Sequence, residues 1–193
     1  GVLVFSFLDG ETLSLARSKH PDVLQAVAGL LRRLHSIGAD AGMPEADPIA
    51  AIGRYLEIID PAQLPVAIST ISTYLARLKP LPARSFVHGD LIPENFIFSS
   101  DRIYLIDWEY AGWGAPEFDL ALIIANFELD EASADLFLDS YGDHDRAAML
   151  GMRGAVVIRE ALWCLVQVRH GSTAADLTSY TALCLQRLKQ LLA

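Results

Sequence analysis

Three short apolar runs interrupt an otherwise helical pattern in the middle of this chain, and polar residues stand at their ends. The runs cover residues 85–87, 96–98 and 103–106. Runs this short fit buried strands better than helices, and the turn-forming residues 99–101 predict a hairpin between the last two. Charged and amide side chains at the ends of buried strands cost stability unless they are paired or bind a ligand. This segment therefore constrains both the fold and the candidate site.

Helical patterns precede and follow these strands. Pro21 is expected to begin the first helix, and Gly38 stands where its C-terminal cap belongs. Residues 2–8 fit a short buried strand, followed by a turn. The other predicted helices cover residues 49–59, 66–78, 118–127, 131–141, 146–169 and 174–192. A mostly helical body with a small β-hairpin insert predicts an α+β fold.

Composition narrows the function classes. Of the 193 residues 52% are hydrophobic, which is enough for a sizeable core, and the net charge of −9 argues against a nucleic-acid or anionic-membrane partner. Cys164 and Cys184, in helical segments, are interpreted as reduced core residues. The chain has no uncharged apolar stretch of about 18 residues and no secretory signal, so we expect a cytoplasmic protein with no membrane span. The oligomeric state stays open.

The polar residues around the predicted hairpin suit a magnesium site. Asn95 and Asp107 lie at the two ends of the hairpin. Both offer the hard oxygen ligands that Mg²⁺ prefers. Asp90, five residues before Asn95, would stand beside the metal as a base for an incoming hydroxyl group.

The spacing of three of these residues resembles the catalytic loop of kinases. His88 and Asp90 are separated by one residue, and four residues separate Asp90 from Asn95. Asp107 stands where kinases carry a magnesium-binding aspartate. The glycine between His88 and Asp90, and the Asp-Trp-Glu-Tyr sequence starting at Asp107, are unlike protein kinases. They resemble the small-molecule branch, the aminoglycoside phosphotransferases and the choline, ethanolamine and thiamine kinases, and most of all its choline and thiamine kinase side.

The resemblance implies a protein-kinase-like fold, of which this chain carries the large, mostly helical C-terminal lobe. Residues 1–10 are then a remnant of the hinge between lobes, and residues 11–193 are the lobe itself. The catalytic loop is residues 88–95, and the metal-binding segment is residues 105–110. A Gly-rich loop with a following strand lysine is missing from the sequence. The N-terminal lobe is therefore expected to be absent from the chain, leaving about half of an ATP site.

The resemblance also implies roles for individual residues. Asp90 accepts the proton of the substrate hydroxyl, while Asn95 and Asp107 hold Mg²⁺ on the phosphates of ATP. His88 and Asp119 support the structure of the loop.

Four residues are expected to bind the substrate: Glu109, Tyr110, Glu160 and Trp163. Aromatic faces and carboxylates suit a compact cation, so a small alcohol of the choline, ethanolamine or thiamine type is the first expectation. Aminoglycoside or macrolide antibiotics, fructosamine-lysine and homoserine are alternatives within the superfamily. A non-catalytic binding or regulatory protein built on a truncated kinase lobe is the alternative of a different class.

Two further interpretations concern side chains near the site. Arg153 and Arg159 are interpreted as charges on solvated helix faces. Trp108 is interpreted as a core residue, because aromatic residues near a small sheet usually are.

Overall fold

Helices form most of the chain in the computed structural model, which describes residues 7–38, 42–99, 102–171 and 175–193. The helices are α1 (Leu15–Ser18), α2 (Pro21–His35), α3 (Pro48–Ile58), α4 (Ile68–Leu75), α5 (Pro116–Asn126), α6 (Glu131–Tyr141), α7 (Arg146–Arg169) and α8 (Ala175–Leu191).

Several helices begin where the sequence supplies an aspartate cap. The Asp47 carboxylate accepts a hydrogen bond from the backbone N–H of Ile49 at 2.8 Å, at the start of α3. Asp130 and Asp145 cap α6 and α7 in the same way. These caps satisfy N–H groups that have no partner within the helix, which explains why each helix starts there.

The strands form two small antiparallel sheets. The strands are β1 (Glu11–Thr12), β2 (Ser85–Val87), β3 (Phe96–Ser99), β4 (Arg102–Leu105) and β5 (Gly112–Gly114). One sheet has the order β1-β3-β4, and the other pairs β2 with β5. In the predicted hairpin, Phe96 lies opposite Leu105, and the N–H of Ile106 donates to the Asn95 carbonyl at 3.0 Å. The hairpin therefore brings residues 95 and 107 to the same open end.

The core is built around α5, which is buried from Pro116 to Ile124. α7 packs against α5, α3 and α8, and α2 packs against α6. A helix that is apolar on nearly all sides is expected at the centre of such a body. Two carboxylates, Glu117 and Asp119, are nevertheless buried in its first turn. Each requires a partner, and these partners tie α5 to the strands.

Glu117 is paired with Arg84, the residue that precedes β2. Burial acts to raise the pKa of the Glu117 carboxyl, but the hydrogen bond and charge of Arg84 outweigh it and hold the pKa below its usual value. The pair fixes the entry of β2 against the start of α5.

Two expectations from the sequence need correction, and a third lies mostly outside the described residues. The buried strand predicted for residues 2–8 lies mostly outside the described residues, and at its described end Phe7 is 92% exposed and in no strand. The strand that pairs with the hairpin is β1, at Glu11–Thr12, which was not predicted from the sequence. The helix predicted over residues 66–78 is shorter, Ile68–Leu75, because the Ala67 backbone is extended.

Gly38 is not the C-terminal cap of α2. The helix ends at His35, and Ser36 caps it with an ordinary right-handed backbone. The Ser36 hydroxyl donates to the Arg33 carbonyl at 2.7 Å. Because Ser36 satisfies the last carbonyl groups, no left-handed glycine is required.

Cys164 and Cys184 are buried and form no disulfide, as expected from the sequence. Within the described residues, every helix is too short or too polar to cross a membrane.

Replacing Arg84 with methionine should destabilise the protein by about 2–3 kcal/mol at pH 7. Breaking a fully buried ion pair typically costs ~3–5 kcal/mol. The expected loss is smaller here because the Arg84 side chain is 44% exposed, so solvent screens its charge. Without Arg84, burial raises the pKa of Glu117, so the variant should recover stability relative to wild type as the pH falls through 4.5, the ordinary value of this carboxyl. Chemical denaturation at pH 7 and pH 4 measures both effects.

The matched control is Arg146→Met. Arg146 forms an ion pair with Asp135 in which both side chains are about half exposed. Exposed pairs contribute about 0–1 kcal/mol. Equal losses in the two variants, or a loss in Arg84→Met that does not change with pH, would contradict the buried-pair interpretation.

Candidate active site

The segment between β2 and β3 turns sharply at Gly89. Its φ of +79° lies in the left-handed region, and a Cβ there would stand 2.7 Å from the Tyr110 carbonyl oxygen. Only glycine combines this backbone conformation with such a close approach. The loop then ends in a 3-10 turn, Pro93–Asn95.

Asp90 is half-buried and held by Asn95. The Asn95 amide donates to the Asp90 carbonyl at 2.8 Å and to its carboxylate Oδ2 at 3.2 Å. Burial raises the pKa of Asp90, and the negative charge of Glu160 adds to that rise. The positive charge of Arg159, with smaller contributions from His88 and Asn95, opposes it. A carboxylate in this setting is a stronger base than one in water.

Asp107 follows the hairpin in a left-handed conformation, with a φ of 64°. Non-glycine residues seldom adopt this conformation, and they do so disproportionately at functional sites. The carboxylate is exposed and has no ion-pair partner within the described part of the chain. Because the Asn95 amide nitrogen is engaged by Asp90, its oxygen is left for a ligand. These two hard oxygen donors, at one end of the hairpin, fit Mg²⁺.

His88 connects the loop to the segment before Asp107. In the tautomer that donates from Nε2, it bonds to the Ile106 carbonyl at 3.0 Å, and Nδ1 accepts from the Asp90 N–H at 3.3 Å. Its ring lies edge-on to Trp108, with 4.7 Å between the ring centroids.

The interpretation of Trp108 as a core residue is wrong. Trp108 is 43% exposed. One face stacks on Phe86 at 6.0 Å, and the indole N–H donates to the Leu105 carbonyl at 3.2 Å. The hairpin directs the residue after Asp107 toward the outside of the small sheet rather than into the helical core.

Asp119 anchors the loop from behind. Its Oδ2 accepts from the His88 N–H at 2.9 Å and from His35 Nε2 at 3.0 Å, while Oδ1 accepts from the Gly89 N–H at 2.9 Å. The other nitrogen of His35 lies 2.9 Å from the Tyr141 hydroxyl. Burial, with a contribution from Glu117, raises the pKa of Tyr141 to about 12, which keeps its hydroxyl protonated as a donor.

A pocket of about 480 Å³ opens in front of the loop. It is lined by six of the residues singled out in the sequence: Asp90, Asp107, Glu109, Tyr110, Glu160 and Trp163. The other three, His88, Asn95 and Asp119, are buried behind it. The tertiary structure therefore separates a lining group from a supporting group.

Two hydrogen bonds fix the wall formed by α7. The Trp163 indole N–H donates to the Tyr110 hydroxyl at 3.3 Å. The Tyr180 hydroxyl, from α8, donates to the Glu160 carboxylate at 2.6 Å. The three aromatic side chains and the acid are thereby held in place in the pocket that Asp90 also lines.

Residues 1–153 match the profile of a family described as the phosphotransferase enzyme family. The chain belongs to this family.

Three relatives illustrate the family resemblance. LicA of Haemophilus influenzae is 46% identical over 100 residues, which cover 46% of this chain and 38% of LicA. Viomycin phosphotransferase of Streptomyces vinaceus is 27% identical over 92% of this chain and 69% of its own length. The crystal structure of choline kinase LicA from Streptococcus pneumoniae superposes with a TM-score of 0.81 at 27% identity, covering 95% of this chain and 67% of that one. The expected kinase-like fold is thereby confirmed, and the matched segment is well under half the length of Haemophilus LicA.

Several residues at the site were not recognised from the sequence. Arg159 is only 7% exposed and lines the pocket, so its interpretation as a solvated charge is wrong, whereas Arg153 is exposed as expected. The apolar residues that surround Arg159 in the sequence of α7 could have indicated that it is buried. Tyr180 and the Asn126 amide, which donates to the Leu91 carbonyl at 3.0 Å, gave no signal in the sequence.

Asp119→Asn should lower the free energy of unfolding by about 1–3 kcal/mol. An asparagine keeps one acceptor oxygen, so its amide group must face either the Gly89 N–H or the two donors now bonded to Oδ2. A buried donor left without an acceptor costs about that much. Chemical denaturation measures the change.

Asp130→Asn is the control, because Asp130 caps α6 at the surface through one backbone N–H. Asparagine and aspartate cap helices about equally well. If Asp119→Asn proved as harmless as this control, Asp119 would not be holding the loop.

Proposed function

We propose that this chain is the catalytic lobe of an ATP- and Mg²⁺-dependent kinase that phosphorylates the hydroxyl group of a small cationic alcohol of the choline or ethanolamine type. The observation that carries the proposal is the single pocket lined by Asp90, Asp107, Tyr110, Glu160 and Trp163. It combines the groups for phosphoryl transfer with groups suited to a cation. Family membership supports the phosphoryl transfer.

In this proposal Asp90 is the general base. Its carboxylate takes the proton of the substrate hydroxyl as the oxygen forms a bond to the γ-phosphorus of ATP. The bond from that phosphorus to the bridging oxygen breaks, and its electron pair leaves with ADP. The raised pKa of Asp90 suits proton acceptance, and the two hydrogen bonds from Asn95 fix its position.

Asp107 and the Asn95 amide oxygen would hold the metal. Bound Mg²⁺ supplies positive charge that neutralises the phosphate oxygens during transfer. The left-handed backbone at Asp107 and the backbone bond between Ile106 and Asn95 keep the two oxygen donors at one end of the hairpin. His88 and Asp119 act as positioning residues, because they contact the loop rather than the pocket.

The preference for a cation rests on Glu160, Tyr110 and Trp163. Glu160 accepts a hydrogen bond from a neutral hydroxyl and has no cationic partner within 4.0 Å among the described residues. Its charge is available to a ligand. Aromatic rings beside such a carboxylate bind ammonium groups well. The similarity to choline kinase LicA along 95% of the chain supports the same substrate class.

Antibiotic phosphorylation is the second candidate, because viomycin phosphotransferase matches 92% of the chain. A large polycationic antibiotic would need acidic groups spread over a wide surface. The pocket instead concentrates them in about 480 Å³. We therefore favour a compact alcohol.

Asp90→Asn in the full-length protein should lower turnover at least ~100-fold, because a positioned base contributes ~10²–10⁴-fold. Binding of ATP should change little, since Asp90 is not assigned to the metal. Steady-state kinetics and calorimetry measure the two quantities. Asp60→Asn, at the exposed cap of a 3-10 turn, is the control. If Asp90→Asn retained a third of the wild-type turnover, Asp90 would not be the general base. If the wild-type protein were inactive on every substrate offered, a non-catalytic binding function would be favoured.

A substrate panel tests the class of alcohol: choline, ethanolamine and thiamine against kanamycin and viomycin. Glu160→Gln should raise KM for the preferred cationic alcohol about tenfold or more with turnover nearly unchanged, the result expected when binding is lost equally in ground and transition states. Glu131→Gln, at the exposed start of α6, should change neither constant. Phosphorylation of the antibiotics alone would refute the compact-alcohol proposal and leave the phosphotransferase chemistry standing.

A further inference from the structure

Arg159 is a buried cation on the pocket wall, and it has no acidic partner among the residues that the structure describes. The residue is 7% exposed. Its guanidinium carbon lies 4.8 Å from the centre of the Tyr110 ring and 5.7 Å from that of Phe118. Across the described ranges no carboxylate lies within 4.0 Å of it, and no hydrogen bond engages its nitrogens. In the described part of the chain, the guanidinium is therefore accompanied by two aromatic rings and no paired charge.

Burying a charge is costly unless it is paired and hydrogen-bonded. An arginine has five N–H donors, and aromatic rings do not satisfy them in the way that oxygens do. Arg84 shows the usual solution in this protein, since its guanidinium is more exposed and yet paired with buried Glu117. Arg159 is more deeply buried, and no described residue offers it such a carboxylate.

The nitrogens of Arg159 open into the pocket. The fully enclosed side-chain atoms without a partner, among the residues described, are Glu117 Oε2 and His144 Nε2. The Arg159 nitrogens are not among these enclosed atoms, and they have no partner in the described ranges, so they reach open space. That space is the pocket that Arg159 lines together with Asp90 and Glu160. An anion that enters this pocket would meet unused donors.

We propose that Arg159 binds the oxygens of the phosphoryl group as it is transferred, and of the phosphomonoester product. This inference rests on the proposed kinase function. The oxygen that receives the phosphoryl group must lie within hydrogen-bond reach of Asp90, about 2.6–3.2 Å. Arg159 lines the same pocket as Asp90, and more than 4.0 Å separates its guanidinium nitrogens from the Asp90 carboxylate oxygens. A phosphorus and its oxygens, attached to that receiving oxygen, fill such a gap.

The chemistry of the guanidinium agrees with this assignment. During transfer the negative charge spreads over the three equatorial oxygens of the phosphoryl group. The planar fork of an arginine matches two such oxygens, and the stacked ring of Tyr110 restricts its orientation.

Arg159 and Glu160 together match the two charged ends of the proposed product. They are adjacent on α7, but Arg159 contacts Tyr110 and Phe118, whereas Glu160 contacts Tyr180 of α8. The helix thus presents a positive and a negative group to one pocket at separate places. A phosphorylated cationic alcohol carries the complementary charges at its two ends.

The test compares Arg159→Met and Arg159→Lys in the full-length protein. We expect Arg159→Met to lower turnover about 100-fold, with little change in KM for the alcohol, since the contact is made only to the phosphoryl group. Affinity for phosphocholine, measured by calorimetry, should fall at least ~10-fold while affinity for choline stays unchanged. Arg159→Lys keeps the charge but not the fork and should recover part of both losses. Arg153→Met, on the same helix but exposed, should behave as wild type.

The outcomes separate this proposal from the kinase proposal. Turnover and phosphocholine affinity that are unchanged in a folded Arg159→Met protein would overturn it. The proposal would also be overturned if Arg159→Met lost affinity for homoserine, an alcohol that carries a carboxylate, but not for phosphocholine. Arg159 would then bind a carboxylate of the substrate rather than the phosphoryl group. If the wild-type protein phosphorylates none of the alcohols, the kinase proposal fails. Calorimetry with phosphocholine and inorganic phosphate then still decides whether Arg159 binds phosphate oxygens, and an unfolded Arg159→Met protein leaves Arg159→Lys to decide it.

Discussion

The buried carboxylate of Asp119 is the contact on which the site depends. It lies on α5, at the centre of the body, and its charge is compensated by three N–H donors: the backbone groups of His88 and Gly89 and the imidazole of His35. One side chain therefore joins the central helix, the end of β2 and the end of α2. The left-handed turn at Gly89 is held open by the same bonds, and that turn positions Asp90. Because every oxygen of Asp119 is engaged, movement of any one of these elements leaves a buried polar group unsatisfied.

The hairpin provides the second constraint. Its register places Asn95 and Asp107 at one open end, and the imidazole of His88 links the loop to the same end through the Ile106 carbonyl. Asn95 serves both sides, since its nitrogen holds Asp90 and its oxygen remains for a ligand. In the proposed mechanism, the Asn95 side chain therefore links the base to the metal donors, and the hairpin register fixes the position of Asn95 itself.

Much of this arrangement could be predicted from the sequence. The loop motif and the hairpin are contiguous, and their short apolar runs and turn residues specify local geometry directly. The wrong predictions have a common cause. Gly38, Trp108 and Arg159 were each assigned from residue type or local pattern, and each assignment was wrong because a distant neighbour or a local hydrogen bond settled the outcome. Ser36 replaced the glycine cap, the hairpin turned Trp108 outward, and the ring of Tyr110 covered Arg159.

The sequence by itself determined the local arrangement of the loop that we propose to be catalytic. The spacing of His88, Asp90 and Asn95 within eight residues depends on the loop backbone alone, so it is readable without the rest of the fold. The tertiary structure decided which residues share the pocket, because α7 reaches the loop only by packing on α5, a contact between segments far apart in sequence. The tertiary structure also decided which arginine of α7 is buried. The same residue type is solvated at Arg153 and buried at Arg159, and the sequence pattern could not distinguish them, since burial is a property of what packs against a helix rather than of the helix itself.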